Sequence, residues 1–284
     1  MTLSVVIITY NEEANIGRTL ESVKPLVGDG KGEIIVIDSG STDRTLEIAR
    51  SYGAKVFIEE WKGYAAQKNS AIQKATGDWI LLLDADEEVS REMATSVSKY
   101  LQIADKHREY ATITVPDSVA DPIFDQAYHA GTESPEDAFA FARKNLFLGR
   151  WIKHGGFWPD RKVRLFRRGY GQVEDRAVHE TLRVERAGRL NGAIVHYSYP
   201  TLFDYIDHMN RYSSLAAEMV VEKGPRGFSV INIALRPLVT FIYNYFLRLG
   251  FLDGREGLLL HLYHAVYVSW KYAKAWELSR NKAR

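Results

Sequence analysis

Two aspartates, Asp84 and Asp86, flank a single alanine directly after the apolar stretch 79–83. Side chains alternate between the two faces of a strand, but where a strand ends the chain turns, and both carboxylates can then reach one crevice. Carboxylate oxygens suit Mg²⁺ or Mn²⁺ bridging a diphosphate, with water and phosphate completing the coordination. The Asp-x-Asp spacing therefore predicts a divalent-metal site, with a solvated strand end as the plainer alternative.

A third carboxylate, Asp38, ends a second apolar run at residues 33–38. An acid at this position can accept hydrogen bonds from ribose hydroxyls or from a base N–H, or it can cap the following turn. A dinucleotide site would need a Gly-x-Gly-x-x-Gly loop after the first apolar run. Residues 9–12, which follow that run, read Thr-Tyr-Asn-Glu and contain no glycine. The sequence therefore disfavours a nicotinamide enzyme.

The elements that must position these side chains alternate between strand and helix from residue 1 to about 110. Apolar runs predict strands at residues 3–8, 33–38, 55–58 and 79–84, and a helix at residues 63–75. Strands separated by helices indicate right-handed crossovers and a mostly parallel sheet covered on both faces. The polar clusters after the first, second and fourth strands should therefore meet at one edge of the sheet.

The alternation is lost between residues 111 and 200. Residues 143–168 contain nine Lys or Arg against one acid, Asp160, which predicts an anionic partner. From Thr201 onward, apolar residues recur at helical spacing. We therefore divide the chain into residues 1–110, 111–200 and 201–284, the first two being halves of one domain.

The composition excludes several classes of protein. The 284 residues are 46% hydrophobic and 26% charged, as in an ordered globular protein. The absence of cysteine excludes disulfides, thiolate metal sites and Cys nucleophiles. A net charge of +1 gives no sign of a nucleic-acid partner. We expect a cytoplasmic protein without a signal peptide, because the first residues have no basic leader and continue directly into a strand.

Four blocks of sequence follow one another in a recognisable order: residues 5–13, 37–43, 67–69 and 83–87. Together they resemble the signature of family 2 inverting glycosyltransferases of GT-A fold over roughly residues 3–90. Weaker blocks at 158–160, 164–166, 179–180, 196–197 and 251–254 resemble bacterial lipopolysaccharide-core β-1,4-glucosyltransferases. The resemblance implies an α/β GT-A core, a mixed and mostly parallel sheet between helices, followed by a helical C-terminal region.

The resemblance also implies an activity and a set of site residues. The activity is inverting, metal-dependent transfer of a hexose, with UDP-glucose as the expected donor, to an anionic glycan or glycolipid such as lipopolysaccharide core. Residues 1–110 would bind the nucleotide sugar, and residues 111–200 would hold the acceptor and the catalytic base. The implied donor-binding residues are Thr9, Tyr10, Glu12, Asp38, Lys68 and Asp84. The implied ligands of Mg²⁺ or Mn²⁺ are Asp86 and His196.

The catalytic base should be a carboxylate that accepts the proton of the acceptor hydroxyl. Glu180 is favoured, because His179 and Glu180 form a pair that recurs in the resembling subgroup. Asp175 is the alternative, because many members of the family carry a Glu-Asp pair at that place, as Glu174 and Asp175 do here.

Other functions and partners stay open at this stage. The alternatives are a polyprenyl-phosphate glycosyltransferase, a nucleotidyltransferase, and a non-catalytic UDP-sugar-binding module associated with a membrane. Residues 201–284 combine aromatic residues with positive charge, which predicts peripheral binding to the anionic inner face of the cytoplasmic membrane through Arg236, Arg248, Lys271 and Lys274. The competing hypothesis is that these aromatic residues pack onto the core or form a homodimer contact.

Overall fold

The computed structural model describes residues 1–28, 30–112, 137–174, 181–224 and 227–282. The described residues form two units. The first unit comprises Met1–Phe141, Lys162–Asp175 and Thr181–Ile194, and the second comprises Ala142–Arg161 and Val195–Arg284, each as far as it is described. The division into residues 1–110, 111–200 and 201–284 stays a prediction.

Most strands belong to one mixed sheet. The strands are β1 (Leu3–Thr9), β2 (Gly32–Asp38), β3 (Lys55–Ile58), β4 (Trp79–Asp84), β5 (Glu87–Val89), β6 (Ala138–Phe147), β7 (Arg150–Trp151), β8 (Asp160–Arg167), β9 (Gln172–Glu174), β10 (Thr181–Arg183) and β11 (Gly188–Tyr199). Within the described part of the chain, nine of them form a sheet in the order β3-β2-β1-β4-β8-β6-β11-β5, with β7 beside β6. Strands β1 to β4 are parallel, β8 is antiparallel to β4, and β9 and β10 form a separate antiparallel pair.

Helices connect the first strands and make up the C-terminal region. They are α1 (Ile16–Val27), α2 (Thr45–Ser51), α3 (Tyr64–Lys74), α4 (Arg91–Thr112), α5 (Leu202–Glu222), α6 (Arg236–Ile242) and α7 (Gly254–Lys282). Two π-helical turns, Ile231–Leu235 and Tyr243–Leu247, flank α6, and the 3₁₀ turn Gly250–Asp253 precedes α7. The predicted α/β class with a helical C-terminal region is therefore confirmed.

The two faces of the sheet in the first unit are buried in separate cores. Val5 and Ile7 of β1 pack in one cluster, which includes Leu20 of α1. Val6 of β1 points to the opposite side and packs in a cluster that includes Ala71 of α3. This alternation along a strand buried on both sides explains why β1 contains four consecutive apolar residues, 5–8, and it confirms the prediction of helices on both faces.

The second unit has a core of its own. Phe147, Ile152, Tyr205 and Leu260 are buried together there. Helix α5 is preceded by the N-cap residue Thr201, whose side chain accepts from the backbone N–H of Asp204 while the Asp204 carboxylate accepts from the Thr201 N–H. Among the described residues, no helix is both long and apolar enough to cross a membrane.

One histidine of the second unit is enclosed without hydrogen-bond partners. The ring of His261 is buried, and neither of its nitrogens has a hydrogen-bond partner among the described residues. A Cβ at Gly155 would lie 2.0 Å from the His261 ring, and a Cβ at Gly250 would lie 2.3 Å from it. These glycines therefore allow the backbone to close directly over the imidazole.

His261 should make the stability of the protein depend on pH. Burial and, to a lesser extent, the charge of His264 lower the pKa of His261 to about 4, whereas the pKa in the unfolded chain is about 6.5. The unfolded state therefore takes up a proton first as the pH falls, and the free energy of unfolding should drop by about 2 kcal/mol between about pH 7 and pH 5 from this group. Urea unfolding of the wild type and of His261→Leu at both pH values measures the difference.

The control for this prediction is His208 of α5. Burial lowers the pKa of His208 to about 4 as well, so the wild type and His261→Leu should both keep that second contribution. An equal loss of stability on acidification in the wild type and in His261→Leu would show that the ring of His261 does not resist protonation.

Candidate active site

The strand register brings three of the predicted site residues to one edge of the first unit. Thr9 at the end of β1 lies opposite Asp38 at the end of β2, and Ile8 lies opposite Asp84 at the end of β4. The carboxyl ends of these parallel strands therefore share one edge, which is where ligands bind in open α/β sheets.

Asp84 is the centre of a buried ionic network. Its Oδ1 lies 2.9 Å from Nζ of Lys68, and its Oδ2 accepts a hydrogen bond of 2.7 Å from Nη2 of Arg164. The same Nη2 donates to Oε1 of Glu87 at 2.6 Å, and the other Glu87 oxygen accepts from the Asp84 N–H at 3.1 Å. Glu87 is fully buried, and Lys68 and Arg164 are nearly so. Two cations and two carboxylates thus compensate one another.

The network fixes the ionisation of its members. Burial opposes the ionisation of Asp84, but the charges of Lys68 and Arg164 hold the pKa of Asp84 well below its ordinary value. Burial also opposes the charge of Arg164, yet Glu87 and Asp84 raise the pKa of its guanidinium. Asp84 is therefore a permanent carboxylate whose two oxygens both accept from cations, and it keeps part of its side chain accessible at the edge.

A second group of carboxylates lies beside this network. Burial raises the pKa of Glu12, although a hydrogen bond of 2.8 Å from the Asn15 amide lowers it. The charges of Asp86, Asp43 and Asp84 also raise the pKa of Glu12. Glu12 and Asp86 are therefore close enough to repel each other, and a cation bound near them would relieve this repulsion.

The loop after β2 explains why Asp38 is buried. Its Oδ1 accepts from the N–H groups of Gly40 and Ser41 at 2.8 and 2.7 Å, and its Oδ2 accepts from the Ser41 hydroxyl at 2.5 Å. Asp38 thus caps its own turn. Its contact with uracil or ribose stays a prediction.

The loop after β1 joins this turn. Asn11, which has a φ of 52°, donates from its N–H to the Ser41 hydroxyl and accepts from the Thr42 N–H, each at 2.8 Å. Tyr10 beside it is 57% exposed. The hydroxyl of Thr9 is buried and has no hydrogen-bond partner among the described residues. The hydrogen bonds of Asn11 therefore fix the backbone of this loop, and the ring of Tyr10 is exposed to solvent.

His196 lies in the second unit, beside a cavity of about 290 Å³. Its Nδ1 is 3.0 Å from Oδ1 of Asn145 and 2.7 Å from the Ser198 hydroxyl. Arg143 donates two hydrogen bonds, of 2.9 and 2.7 Å, to the Asp160 carboxylate in the same cavity wall. Since Nδ1 is engaged, metal binding by His196 would have to use Nε2, and this role stays a prediction. The two base candidates, Asp175 and Glu180, lie outside the described residues.

Comparison with known proteins decides the family. The model of the family described as Glycosyl transferase family 2 matches residues 4–166, which is more than half of the chain. The chain belongs to glycosyl transferase family 2. An uncharacterized glycosyltransferase of Rickettsia typhi is 30% identical and covers 98% of this chain and 87% of its own length. The lipopolysaccharide core biosynthesis glycosyltransferase LpsC of Rhizobium meliloti is 27% identical over 100% of this chain and 95% of its own.

Solved structures also resemble this glycosyltransferase, but their structural similarity to it is low. Glucosyl-3-phosphoglycerate synthase of Mycobacterium tuberculosis, in complex with Mn²⁺, UDP and glucosyl-3-phosphoglycerate, is 31% identical over 34% of this chain and 37% of that chain, with a TM-score of 0.30. A TM-score this low transfers neither ligand nor geometry to the present protein.

The residues at the sheet edge of this glycosyltransferase fit a divalent metal held partly by its substrate. The described residues contain no group of three or more His, Asp or Glu side chains that could hold a metal ion by themselves. Mg²⁺, however, commonly takes one or two protein carboxylates together with phosphate and water. Both oxygens of Asp84 already accept from cations, whereas Asp86 and Glu12 repel each other. Asp86 and Glu12 are therefore the carboxylates that could hold such an ion, and the metal role of Asp86 stays a prediction.

The roles of Arg164 and Glu87 in this network are not predicted from the sequence. Glu87 follows Asp86 directly, and Arg164 is part of the basic run at residues 143–168. That run is not one solvated face, because Arg164 is buried against two carboxylates and Arg143 is paired with Asp160. Arg164 stands between Val163 and Leu165 in the strand Asp160–Arg167, and a cation between apolar residues was the signal that could have indicated a buried partner.

Proposed function

We propose that this glycosyltransferase transfers a hexose, with UDP-glucose as the donor, to a glycan of the bacterial envelope such as lipopolysaccharide core, with inversion at the anomeric carbon. The observation that carries the proposal is its similarity to the lipopolysaccharide core glycosyltransferase of Rhizobium meliloti over the whole chain. The reaction would take place at the cytoplasmic face of the membrane, where nucleotide sugars and the growing glycan are both available.

The donor would bind at the edge of the first unit. The exposed ring of Tyr10 offers a face on which a uracil base can stack. Thr9, Glu12 and Asp38 line the adjoining loops, and the accessible part of Asp84 can accept from a ribose hydroxyl while Lys68 holds it ionised. This arrangement supports a nucleoside site whose acceptor groups are fixed before the ligand arrives.

The acceptor would use the cavity of the second unit. Its wall combines the aromatic side chains of Phe157 and Tyr199 with Arg143, Asp160 and His196. Sugar rings present an apolar face and a rim of hydroxyls, so a cavity lined by aromatic and polar groups suits them. The cavity volume of about 290 Å³ supports binding of a single sugar ring rather than a long glycan.

Departure of the nucleoside diphosphate needs compensation of its charge. Bound Mg²⁺ or Mn²⁺ supplies this as a Lewis acid, and Asp86, with Glu12 near it, would hold the ion. The proton of the acceptor hydroxyl would pass to the carboxylate of Glu180, or to Asp175 as the alternative, as the new glycosidic bond forms.

Donor binding can be tested directly by thermal shift with UDP- and GDP-sugars, with and without Mn²⁺. A ligand that binds only the native state raises the melting temperature by mass action, so UDP-glucose with Mn²⁺ should give the largest shift. Release of UDP in the presence of lipopolysaccharide-core acceptor then separates an enzyme from a binding module. Stabilisation by a GDP-sugar, or none by any nucleotide sugar, would overturn the donor assignment.

The two base candidates are separated by their amides. Glu180→Gln should lower turnover by about 10²-fold or more, which is the size expected for loss of a general base, while the thermal shift with UDP-glucose stays unchanged. Asp175→Asn is the matched variant, because it also exchanges one carboxylate for an amide. An inactive Asp175→Asn together with a fully active Glu180→Gln would reverse the assignment.

A further inference from the structure

Residues 228–252 of the second unit expose most of their large apolar side chains. The segment contains the two π-helical turns, α6 and the beginning of the 3₁₀ turn before α7. The exposed side chains are Phe228, Val230, Ile231, Leu235, Leu238, Val239, Ile242, Tyr243, Phe246, Leu247, Leu249, Phe251 and Leu252. Exposed apolar surface of this extent marks an interaction site.

The charge of the same segment has one sign. Residues 228–252 contain two arginines, Arg236 and Arg248, and no aspartate or glutamate. Both guanidinium groups lie beside tyrosine rings, at 5.0 Å from Tyr272 and 5.8 Å from Tyr243. Aromatic rings next to cations, bordered by aliphatic side chains, are the composition that favours the headgroup layer of an anionic bilayer.

We propose that residues 228–252 are the surface by which this glycosyltransferase binds an anionic lipid membrane. The inference rests on the proposed function in one respect: the glycan acceptor would be attached to the membrane that this surface binds. A second copy of the chain is the other occupant that an apolar surface could take. If two such segments faced each other, their only charges would be four arginines of like sign, whereas anionic lipid complements both Arg236 and Arg248.

The structure does not support the predicted lipid contact through Lys274 of α7. The sequence predicts a contribution from Lys274, but its ammonium lies within hydrogen-bond distance of four oxygens of α5: the Asn210 carbonyl and side-chain oxygens at 2.8 and 2.7 Å and the hydroxyls of Ser213 and Ser214 at 2.8 and 2.9 Å. Lys274 therefore joins α7 to α5. Lys271 lies over the Tyr272 ring at 4.7 Å.

Vesicle flotation of the full chain tests the proposal. The wild type should float with vesicles of phosphatidylethanolamine and phosphatidylglycerol, and less with phosphatidylcholine alone or at high salt. Replacing two exposed leucines, in Leu238→Ser/Leu247→Ser, should reduce binding by about tenfold or more. Phe203→Ser is the matched control, since Phe203 of α5 is 79% exposed, comparable to Leu247 at 71%, but lies outside the segment.

A second measurement keeps the native surface almost intact. The chain has no cysteine, so an environment-sensitive fluorophore can be attached at Leu247→Cys or, as control, at Phe203→Cys. Anionic vesicles should shift the emission to the blue for the label at residue 247 and leave the label at residue 203 unchanged.

Two results would overturn the proposal. One is equal flotation of the wild type and of Leu238→Ser/Leu247→Ser. The other is a lipid-free dimer of the wild type that Leu238→Ser/Leu247→Ser converts to a monomer, which would assign the surface to a second copy. Binding of UDP-glucose to the wild type is measured in parallel by thermal shift. If the wild type does not bind UDP-glucose, the proposed function is refuted, while the result for membrane binding still stands.

Discussion

Arg164→Met is expected to lower the free energy of unfolding by about 3–5 kcal/mol, the cost of removing one partner from a buried ion pair. The Arg164 guanidinium contacts Asp84 at 2.7 Å and the fully buried Glu87 at 2.6 Å. Methionine fills much of the same volume but leaves the Glu87 carboxylate without its cation. Urea or guanidinium unfolding measures the change.

Two variants show whether the loss comes from uncompensated charge. Arg164→Met/Glu87→Gln removes the stranded carboxylate as well, so it should recover part of the stability, because residues in one network are not additive. Arg44→Met is the matched control, because Arg44 pairs with Glu47 at the exposed surface and should leave the unfolding midpoint unchanged. A midpoint for Arg164→Met as high as that of the wild type would show that the network does not stabilise the fold.

The elements around this network could be predicted because their signals are local. The strand at residues 79–84 is found at those bounds as β4, and the helix at residues 63–75 is found as Tyr64–Lys74. A continuous apolar run can be satisfied only inside a sheet covered on both faces, so the run itself indicates its neighbours. The run alone then predicts that the polar residue after it lies at the edge of the sheet.

The ionic network could not be predicted, because its members are distant in sequence. Arg164 is 80 residues from Asp84, and the two meet because β8 returns antiparallel beside β4, with Leu81 opposite Leu165. No periodicity in the sequence specifies that pairing. Asp38 illustrates the related difficulty that a turn cap and a ligand-binding acid have the same sequence, and only its hydrogen bonds to Gly40 and Ser41 reveal the cap.

For the C-terminal region, the sequence does not indicate which surface is exposed. Cations and aromatic residues occur both in α7 and in residues 228–252, and composition alone favours neither as a membrane contact. The difference lies in their partners, since Lys274 is held by Asn210, Ser213 and Ser214 while Leu238 and Leu247 are exposed. Tertiary packing, which a helical sequence pattern does not encode, decides which surface is available.

Asp86→Ala is expected to lower hexosyl transfer by about 10³-fold or more, the scale of losing a group that stabilises charge in the transition state. It should also abolish the enhancement of UDP binding by Mn²⁺ while leaving the fold intact, because Asp86 lies in the short turn between β4 and β5 and not in the packed core. A readout independent of activity follows from the charge repulsion at the site: since Asp86 raises the pKa of Glu12, its removal should lower that pKa, as followed by carboxyl ¹³C NMR. Glu92→Ala, which removes an exposed acid from the first turn of α4, should change none of these quantities. Undiminished, Mn²⁺-stimulated UDP binding by Asp86→Ala would refute the metal assignment, and an unchanged Glu12 pKa would show that the two carboxylates do not share one site.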